Sequence, residues 1–453
     1  MTRGSRNADA PASPDQPRQA QPRQAQPRLT RPRHHSARHR LRGHGYFKRL
    51  GPGIVTGAAD DDPSGIGTYS QVGAAYGTAL LWSMPIVGVM AAAVQETAAR
   101  LGLTSGVGLS TLIRRHLGRR VLVICVVLVA IANTFNIAAD LSAMGAALQL
   151  EIDLPPSLLA VALAGGMIAL ELLVPYHRYS KVLRILALSL GAYLVVVFMI
   201  DADWGAVGRG LITPTIPSGR GALAALLAVF GTTVSPYLFF WQASEENEEA
   251  SEPSGATPSA GPTDDHLRAM RVDVIGGMAS AVVVAAAIMI STAFTLHTHG
   301  LTTIATADQA ARALEPLAGS MAQLVFTIGI LGLGLLAVPV LAGSTGYAIA
   351  EAIGRPEGLS RTFREARGFY LVIAGSMVVG LGLDLIGLDP IRSLFYAAIL
   401  NGITAPPLIL VMLKLARDPD VLGDRRSGRL STGLLLGTVI GSVALPIAYL
   451  LSS

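Results

Sequence analysis

Residues 50–82 read LGPGIVTGAADDDPSGIGTYSQVGAAYGTALLW, an apolar segment of membrane length that is interrupted by three aspartates and then by Pro63, Ser64 and Gly65. A carboxylate in hydrocarbon costs roughly 2.5 to 3.5 kcal/mol even on the most permissive insertion scales, so aspartates persist there only beside water, a partner or an ion. Proline removes a backbone donor and glycine permits conformations closed to other residues, which predicts a broken helix. A break at membrane depth lines a cavity, and its carbonyls and carboxylates suit a cation.

The three aspartates need not share one role. Asp62 lies beside the proline and is interpreted as a cation ligand, with Ser64 lining the same cavity. Asp60 and Asp61 have two interpretations: they act on the ion, directly or through water, or they lie at the outer mouth as ordinary solvated charges. Both interpretations stay open at this point.

The composition indicates an all-α protein that crosses a membrane many times. Of the 453 residues, 51% are hydrophobic and only 14% are charged, whereas a soluble domain carries about 25% charged residues. The net charge of +5 is concentrated in the first fifty residues and in short loops. That placement suits membrane topology better than nucleic-acid binding, so no nucleic-acid partner is expected. The single cysteine, Cys125, excludes an internal disulfide and a cysteine metal site.

The N-terminal segment differs from the rest of the chain. Residues 1–45 are rich in Arg, Pro, Gln and His and repeat the motif QPRQA. Such a composition buries too little apolar surface to offset the entropy of ordering, so we expect a disordered basic tail. The tail has no apolar segment before a cleavage site, and no secretory signal peptide is expected.

Apolar runs of about 20 residues, the length that a bilayer requires, recur about eleven times along the chain. The first and the sixth of these predicted spans contain an interruption. The spans are predicted at residues 47–76, 78–101, 121–149, 156–175, 182–201, 221–249, 272–297, 320–350, 368–387, 390–414 and 431–451.

The distribution of basic residues predicts the orientation. If the N-terminus is cytoplasmic, the inner segments hold all but four of the 35 lysines and arginines, the exceptions being Arg209, Arg220, Arg312 and Arg392. Cytoplasmic loops carry such an excess of positive charge. We therefore expect a multi-pass protein of the plasma membrane with its N-terminus inside.

A second interruption lies at residues 230–237, FGTTVSPY, where an apolar helix enters, a polar Gly/Thr stretch follows and a proline restarts the helix. Taken alone, this segment also suits a proline-kinked helix whose threonines bond to the preceding turn. Two interrupted spans five apart predict an inverted five-plus-five repeat with a substrate between the breaks. The repeats are placed at residues 46–201 and 202–414, and residues 415–453 hold a cytoplasmic loop and the eleventh span.

Both interruptions resemble motifs of the NRAMP family of divalent-metal transporters. The family's first-helix signature, Asp-Pro-Gly-Asn, reads here Asp62-Pro63-Ser64-Gly65, and its sixth-helix signature, Gly-Ala-Thr-Val-Met-Pro-His, is matched by GTTVSPY at residues 231–237. The resemblance implies a LeuT-type fold with broken helices 1 and 6, and a divalent metal ion as substrate. It covers most of the chain after the tail.

The departures from the family pattern bear on the choice of metal. By resemblance, the ligands would be Asp62 and the Thr232 carbonyl, while the family's asparagine position is Gly65 and its methionine position is Ser235. A thioether favours transition metals, whereas carboxylate, carbonyl, hydroxyl and water oxygens suit Mg²⁺, Ca²⁺ and Mn²⁺. Smaller residues also leave room for Mg²⁺ to keep several waters, with Asp61 acting through one. The pattern resembles the NRAMP-related magnesium transporter branch.

Proton coupling is not expected. The family's helix-6 histidine is Tyr237 here, a second histidine position is Gln242, and the acid one turn after Asp140 is Ala143. Neither tyrosine nor glutamine titrates near neutral pH, so a histidine-based proton switch is missing. The predicted mechanism is uniport driven by the ion gradient and the membrane potential.

Further polar residues in the spans are assigned to the cavity or to pairing with a neighbour. Asp140 lies in a stretch similar to the family's proton route and is assigned to the ion pathway, as is Asn401, which caps a helix or lines the cavity. Glu96 has a structural partner one turn away in Arg100. The acidic run at residues 245–249 either guides cations out of the inner vestibule or is a solvated helix end.

The leading hypothesis is a transporter that imports hard divalent cations, Mg²⁺ first and Mn²⁺ second, by alternating access. A proton-coupled Mn²⁺/Fe²⁺ importer is the alternative within transport, and an organic-solute symporter of the same architecture is disfavoured by the triple aspartate. A membrane-embedded hydrolase is also disfavoured, since HExxH and GxSxG motifs are missing from the sequence. No enzyme activity and no cofactor besides the transported ion are expected.

Overall fold

The structure is a computed structural model that describes residues 52–174, 191–251, 262–387 and 389–452. The predicted tail, at residues 1–45, lies outside the described residues. So do the first half of the predicted fifth span and nearly all of the Pro/Ser/Gly linker at residues 253–262.

Helices make up almost all of the described chain, and short helical turns connect them between residues 297 and 321 and between residues 419 and 425. The main helices are α1 (Pro52–Asp60), α2 (Pro63–Tyr76), α3 (Ser83–Ser105), α4 (Leu109–His116), α5 (Arg119–Gln149), α6 (Pro156–Leu173), α7 (Gly191–Met199), α8 (Trp204–Ile212), α9 (Arg220–Thr233), α10 (Pro236–Ser251), α11 (Asp264–Thr295), α12 (Ala322–Ile353), α13 (Arg367–Asp384), α14 (Pro390–Arg417) and α15 (Arg429–Leu451).

The helices follow the predicted spans closely. Nine of the described segments are long and apolar enough to cross a bilayer, with α9 and α10 counted together. The first predicted span is not among the nine because it is divided into two short halves, α1 and α2. The fifth span is described only from residue 191 onward, as α7.

The two broken helix pairs lie in the interior of the molecule. One group of helices packs around α5, which contacts α6, α12, α13 and α14, and another packs around α11, which contacts α1, α2, α3 and α7. The α9–α10 pair contacts members of both groups, and 94% of its most apolar stretch is buried, against 17% in α15. Irregular backbone at membrane depth requires such a protein environment.

The structure also gives the surroundings of two residues that the sequence analysis singled out, Glu96 and Cys125. Arg100 pairs with Glu96 at 3.2 Å, as predicted, and Glu96 receives a second cation, Arg271 of α11, at 2.9 Å. Cys125 is buried.

The acidic run at the end of α10 is only partly a solvated helix end. The Tyr347 hydroxyl of α12 donates to Glu245 at 2.9 Å and lies 3.0 Å from Glu248, so these two carboxylates share one helix face. Glu246 is 6% exposed and accepts from Gln242.

Candidate cation-binding site between two broken helices

The first break is organised by Asp62. Helix α1 ends at Asp60 and α2 begins at Pro63, with Asp62 in an extended conformation as the N-cap of α2. The Asp62 Oδ1 atom accepts hydrogen bonds from the Gly65 backbone N–H at 2.8 Å and from the Ser64 hydroxyl at 2.5 Å. Proline has no backbone N–H, and the first residue of a helix has no intrahelical acceptor for one, so proline fits this position well. The sequence Asp62-Pro63 therefore both ends α1 and begins α2.

The second break is formed in the same way by a proline. Helix α9 ends at Thr233 and α10 begins at Pro236, and the C-cap Val234 leaves the helical conformation. The Ser235 hydroxyl donates to the Thr232 carbonyl at 2.6 Å and lies 3.2 Å from the Gly231 carbonyl. The segment is therefore a break between two helices, and the alternative of one continuous kinked helix is wrong.

The two breaks meet. The Ser64 and Thr232 hydroxyls are 3.3 Å apart, and a Cβ atom added to Gly65 would lie 3.6 Å from the Thr232 hydroxyl. The Tyr237 hydroxyl donates to the Ala59 carbonyl at 2.7 Å and lies 3.4 Å from Asp62 Oδ2. The residues that the sequence placed on two separate helices thus share one location.

Four carboxylates are buried at this location. Asp60, Asp61 and Asp62 are 1%, 3% and 1% exposed, and Asp140 of α5 is fully buried. Neither Asp140 oxygen makes a hydrogen bond to the described residues, and the carboxyl group lies near Asp62 and the Ser64 backbone. Asp60 and Asp61 are therefore not solvated charges at an outer mouth.

These carboxylates have no cationic partner within the described part of the chain. None of its salt bridges reaches them, and both Asp60 oxygens and one Asp61 oxygen lack a hydrogen-bond donor. Buried charges without compensation cost several kcal/mol each. In the same described ranges, no three His, Cys, Asp or Glu side chains converge as a ready-made metal cage. A cation held here would need hydroxyl, carbonyl or water oxygens beside a carboxylate, the ligand chemistry of Mg²⁺, Ca²⁺ and Mn²⁺.

Comparison with known sequences identifies the family. The family model "Natural resistance-associated macrophage protein-like" (Nramp) matches residues 53–452. The chain belongs to the Nramp family. It is 28% identical over 381 residues to a protein of Klebsiella pneumoniae (strain 342) named divalent metal cation transporter MntH, covering 83% of this chain and 87% of that protein.

Solved structures agree on the fold. The manganese transporter of Eremococcus coleocola, in complex with an aromatic bis-isothiourea substituted compound, has a TM-score of 0.68 at 20% identity and covers 89% of this chain and 87% of its own. Mhp1, described as a nucleobase-cation-symport-1 family transporter, has a TM-score of 0.54 at 12% identity, covering 88% and 92%. The predicted LeuT-type arrangement with broken helices 1 and 6 is thereby confirmed.

Two predicted pathway residues of this Nramp protein lie beside the site. Gln242 accepts a hydrogen bond from the Thr56 hydroxyl of α1 and donates to Glu246 at 2.9 Å. Asn401 exchanges amide hydrogen bonds with Asn136 of α5, at 2.9 and 3.2 Å, and is 1% exposed.

Sequence reasoning missed three residues of this region. The Tyr69 hydroxyl lies 2.8 Å from the Thr233 hydroxyl and joins α2 to α9, while Thr56 and Asn136 are the partners described above. Each lies one helical turn from a residue that was singled out: Tyr69 from Gly65, Thr56 from Asp60, and Asn136 from Asp140. Residues four apart share a helix face, so this spacing is the signal that the sequence offered.

Proposed function

We propose that this Nramp protein is a divalent metal cation transporter that prefers hard ions, Mg²⁺ first and Mn²⁺ second, and moves them by alternating access. The observation that carries the proposal is the set of four buried carboxylates, without a basic partner among the described residues, where two helix breaks meet. A cation substrate would supply the missing charge. The names of the relatives, divalent metal cation transporter and manganese transporter, support the class of substrate.

The ligand set favours hard ions. Asp62 offers its Oδ2 atom, and Asp61 lies next to it in the break. Ser235 and the Thr232 carbonyl contribute oxygens from the second break, where a thioether would select softer metals, and Gly65, in the first break with Asp62, adds no side chain. We propose that the ion is held by carboxylate, hydroxyl and carbonyl oxygens and by retained waters, with Asp60 and Ser64 nearby.

Transport without proton coupling is the second part of the proposal. Tyr237 and Gln242 take the place of titrating histidines, and both are engaged in hydrogen bonds to α1. Two positive charges that move inward gain about 2.3 kcal/mol each per 100 mV, which suffices to drive uptake.

The distribution of lysine and arginine supports a plasma-membrane protein with a cytoplasmic N-terminus. The two interrupted spans, five apart, support repeats at residues 46–201 and 202–414, followed by the eleventh span. We propose no enzyme activity, because the polar centre is explained by ion binding.

Replacing Asp62 by asparagine tests the site. Asparagine caps helices about as well as aspartate, so Asp62→Asn should keep the break and remove only the charge. We expect Mg²⁺ uptake by proteoliposomes to fall about tenfold or more, and the stabilisation of the parent chain by Mg²⁺, about 2.7 kcal/mol at a hundred times its Kd, to vanish.

The exposed acid Asp265 offers the matched control, since it is 89% exposed and far from the breaks in sequence. Asp265→Asn should transport like the parent chain. Uptake that stays unchanged in Asp62→Asn would reject the proposed site.

The coupling mode is tested by internal pH. During Mg²⁺ or Mn²⁺ uptake we expect no acidification of the proteoliposome lumen, because Tyr237 and Gln242, at the family's histidine positions, do not titrate near neutral pH. A pH change that tracks metal uptake would instead support the proton-coupled Mn²⁺/Fe²⁺ importer.

A further inference from the structure

A cluster of exposed arginines lies where α4 meets α5. Arg114 and Arg115 are near the end of α4, Arg119 and Arg120 begin α5, and all four are exposed. Gly118, with a φ of 88°, forms the turn between the two helices. We call the four arginines the α4–α5 patch. No salt bridge of the described residues includes any of them, so their charges are available to a partner.

The patch continues a surface of α5 that suits contact with lipid. Ile124, Val127 and Ile131 are 57%, 48% and 46% exposed. Arg120 precedes them at spacings of four, three and four residues, which places all of them on one face of the helix. The 31 residues of α5 extend about 46 Å, further than the roughly 30 Å of a hydrocarbon core. The arginines at its start therefore lie at the depth of the lipid headgroups.

The start of α5 is unfavourable for positive charge unless an anion is bound. The helix begins with two arginines, and its N-cap Gly118 makes no side-chain cap. Because the N-terminus is the positive end of the helix dipole, cations there destabilise the helix and anions stabilise it. A phosphate group would compensate the guanidinium charges and accept hydrogen bonds from the first backbone N–H groups.

Helix α4 connects the patch to the broken helix pair, because it contacts both α10 and α12. Glu351 of α12, 3% exposed, accepts a hydrogen bond from the Thr111 backbone N–H of α4 at 3.2 Å and from the Ser244 hydroxyl of α10 at 2.8 Å. Its side chain also fills the space that a Cβ atom of Gly108 would need. One buried carboxylate thus holds the start of α4 and the inner part of α10 together.

We propose that the α4–α5 patch binds the phosphate groups of anionic phospholipids, and that α4 transmits this attachment to α10 through Glu351. In the proposed orientation, the patch faces the cytoplasmic leaflet, where anionic lipids attract basic residues. The apolar face of α5 receives the acyl chains while the guanidinium groups bind the phosphate, which favours a lipid over a free anion. The lipid site is independent of the proposed function, and only the effect on transport rests on it.

Lipid binding can be measured without transport. The midpoint of thermal unfolding of the full chain in detergent would be followed while phosphatidylglycerol or phosphatidylcholine is added. We expect phosphatidylglycerol to raise the midpoint of the parent chain. In Arg119→Gln/Arg120→Gln, the concentration needed for half of this rise should increase about tenfold or more, whereas Arg119→Lys/Arg120→Lys, which keeps the charge, should stay closer to the parent.

The matched control removes two other exposed arginines of the same side of the membrane. Arg361 and Arg364 lie in the loop between α12 and α13, and the charge of Arg361 interacts with Glu357 and Glu365. Arg361→Gln/Arg364→Gln should respond to phosphatidylglycerol like the parent chain.

Three results would overturn the lipid site. An equal response of Arg119→Gln/Arg120→Gln and the parent would place the lipid elsewhere, for example on the arginines of residues 1–45. An equal rise with phosphatidylcholine would exclude recognition of the anionic headgroup, and an equal rise with inorganic phosphate would indicate a free-anion site. If the double glutamine variant does not fold, Arg114→Gln/Arg115→Gln provides the same comparison.

Mg²⁺ uptake by proteoliposomes tests the transmission to α10. We expect uptake by the parent chain to be several-fold faster in vesicles that contain phosphatidylglycerol than in phosphatidylcholine alone. Glu351→Gln should keep the stabilisation by phosphatidylglycerol but lose this dependence of uptake on the lipid; a dependence that persists would contradict transmission through Glu351. A parent chain that takes up no Mg²⁺ in either lipid would reject the proposed function, while the unfolding data still decide whether the patch binds lipid.

Discussion

At the scale of single residues, we propose that Ser235 has the largest bearing on selectivity. A short polar side chain occupies the position where the family signature carries methionine. Its hydroxyl donates to the carbonyl of Thr232. The hydroxyl binds that carbonyl by a hydrogen bond of 2.6 Å, and in the proposed site it also supplies an oxygen to the ion. Both effects favour hard ions, which prefer oxygen ligands, over softer transition metals, which prefer sulfur.

Ser235→Met tests this role. The substitution adds a thioether and removes the hydroxyl, so we expect the ratio of Mn²⁺ to Mg²⁺ uptake to rise about tenfold and Cd²⁺ to become a stronger inhibitor. Competition uptake assays in proteoliposomes measure both. Ser235→Ala is the control, since it removes the hydroxyl without adding sulfur; a ratio that rises as much in this variant would exclude a contribution of the sulfur atom.

The sequence predicted the residues of the breaks better than their partners. Asp62 and Pro63 are adjacent, and their chemistry alone caps one helix and ends another, so the first break could be located without a structure. The pairs Asn136–Asn401 and Thr56–Gln242 join residues 265 and 186 positions apart. Such pairs depend on how the helices pack, which local patterns do not encode.

At the scale of helices, the close packing of α1 against α11 depends on glycine. Gly57→Ala would place a methyl group against the Gly277 carbonyl, and the helices would have to separate. We expect a loss of about 1 to 3 kcal/mol of stability, typical of overpacking, together with impaired uptake. Thermal unfolding in detergent measures the first effect.

Gly276→Ala is the matched control on the neighbouring helix. A Cβ atom added at Gly276 meets no described atom within 4 Å, and alanine is the better helix former by about 1 kcal/mol. We expect unchanged or slightly raised stability. A loss as large as that of Gly57→Ala would show that the effect does not come from the close contact between Gly57 and Gly277.

Helix positions were largely predictable, because apolar length and proline breaks are local properties. Starts and ends were less so: α3 begins at Ser83 rather than at residue 78, and α11 extends back to Asp264. The first follows from the turn that begins at Gly77, where φ is positive. The second follows from the Thr263 cap, which extends a polar helix end beyond the apolar span.

At the scale of the whole molecule, Glu96 connects distant parts of the chain. It binds Arg100 and Arg271, and Arg100, 2% exposed, also donates to the Arg425 carbonyl and the Ser427 hydroxyl. The network therefore ties α3 to α11 and to the segment that precedes α15. The sequence predicted the Glu96–Arg100 pair but not these long-range connections.

Glu96→Gln should destabilise the protein by about 1 to 3 kcal/mol, because two arginines lose their carboxylate while Arg100 stays buried. The lowered midpoint of thermal unfolding is the measurement. The exposed pair Arg268–Asp265 serves as comparison, and Asp265→Asn should shift the midpoint little. Equal shifts of the midpoint would mean that the burial of Arg100 does not increase the stabilisation that its ion pair with Glu96 provides.

The carboxylates that lack a basic partner have an electrical consequence for the unloaded protein. We expect Asp62 to stay ionised in the unloaded carrier, because its carboxylate accepts hydrogen bonds from Gly65 and Ser64. A resting potential that is negative inside repels that charge outward, at up to about 2.3 kcal/mol per charge per 100 mV. The same voltage that pulls the loaded carrier toward the cytoplasm therefore also favours the return of the empty one, so the whole cycle should accelerate with hyperpolarisation.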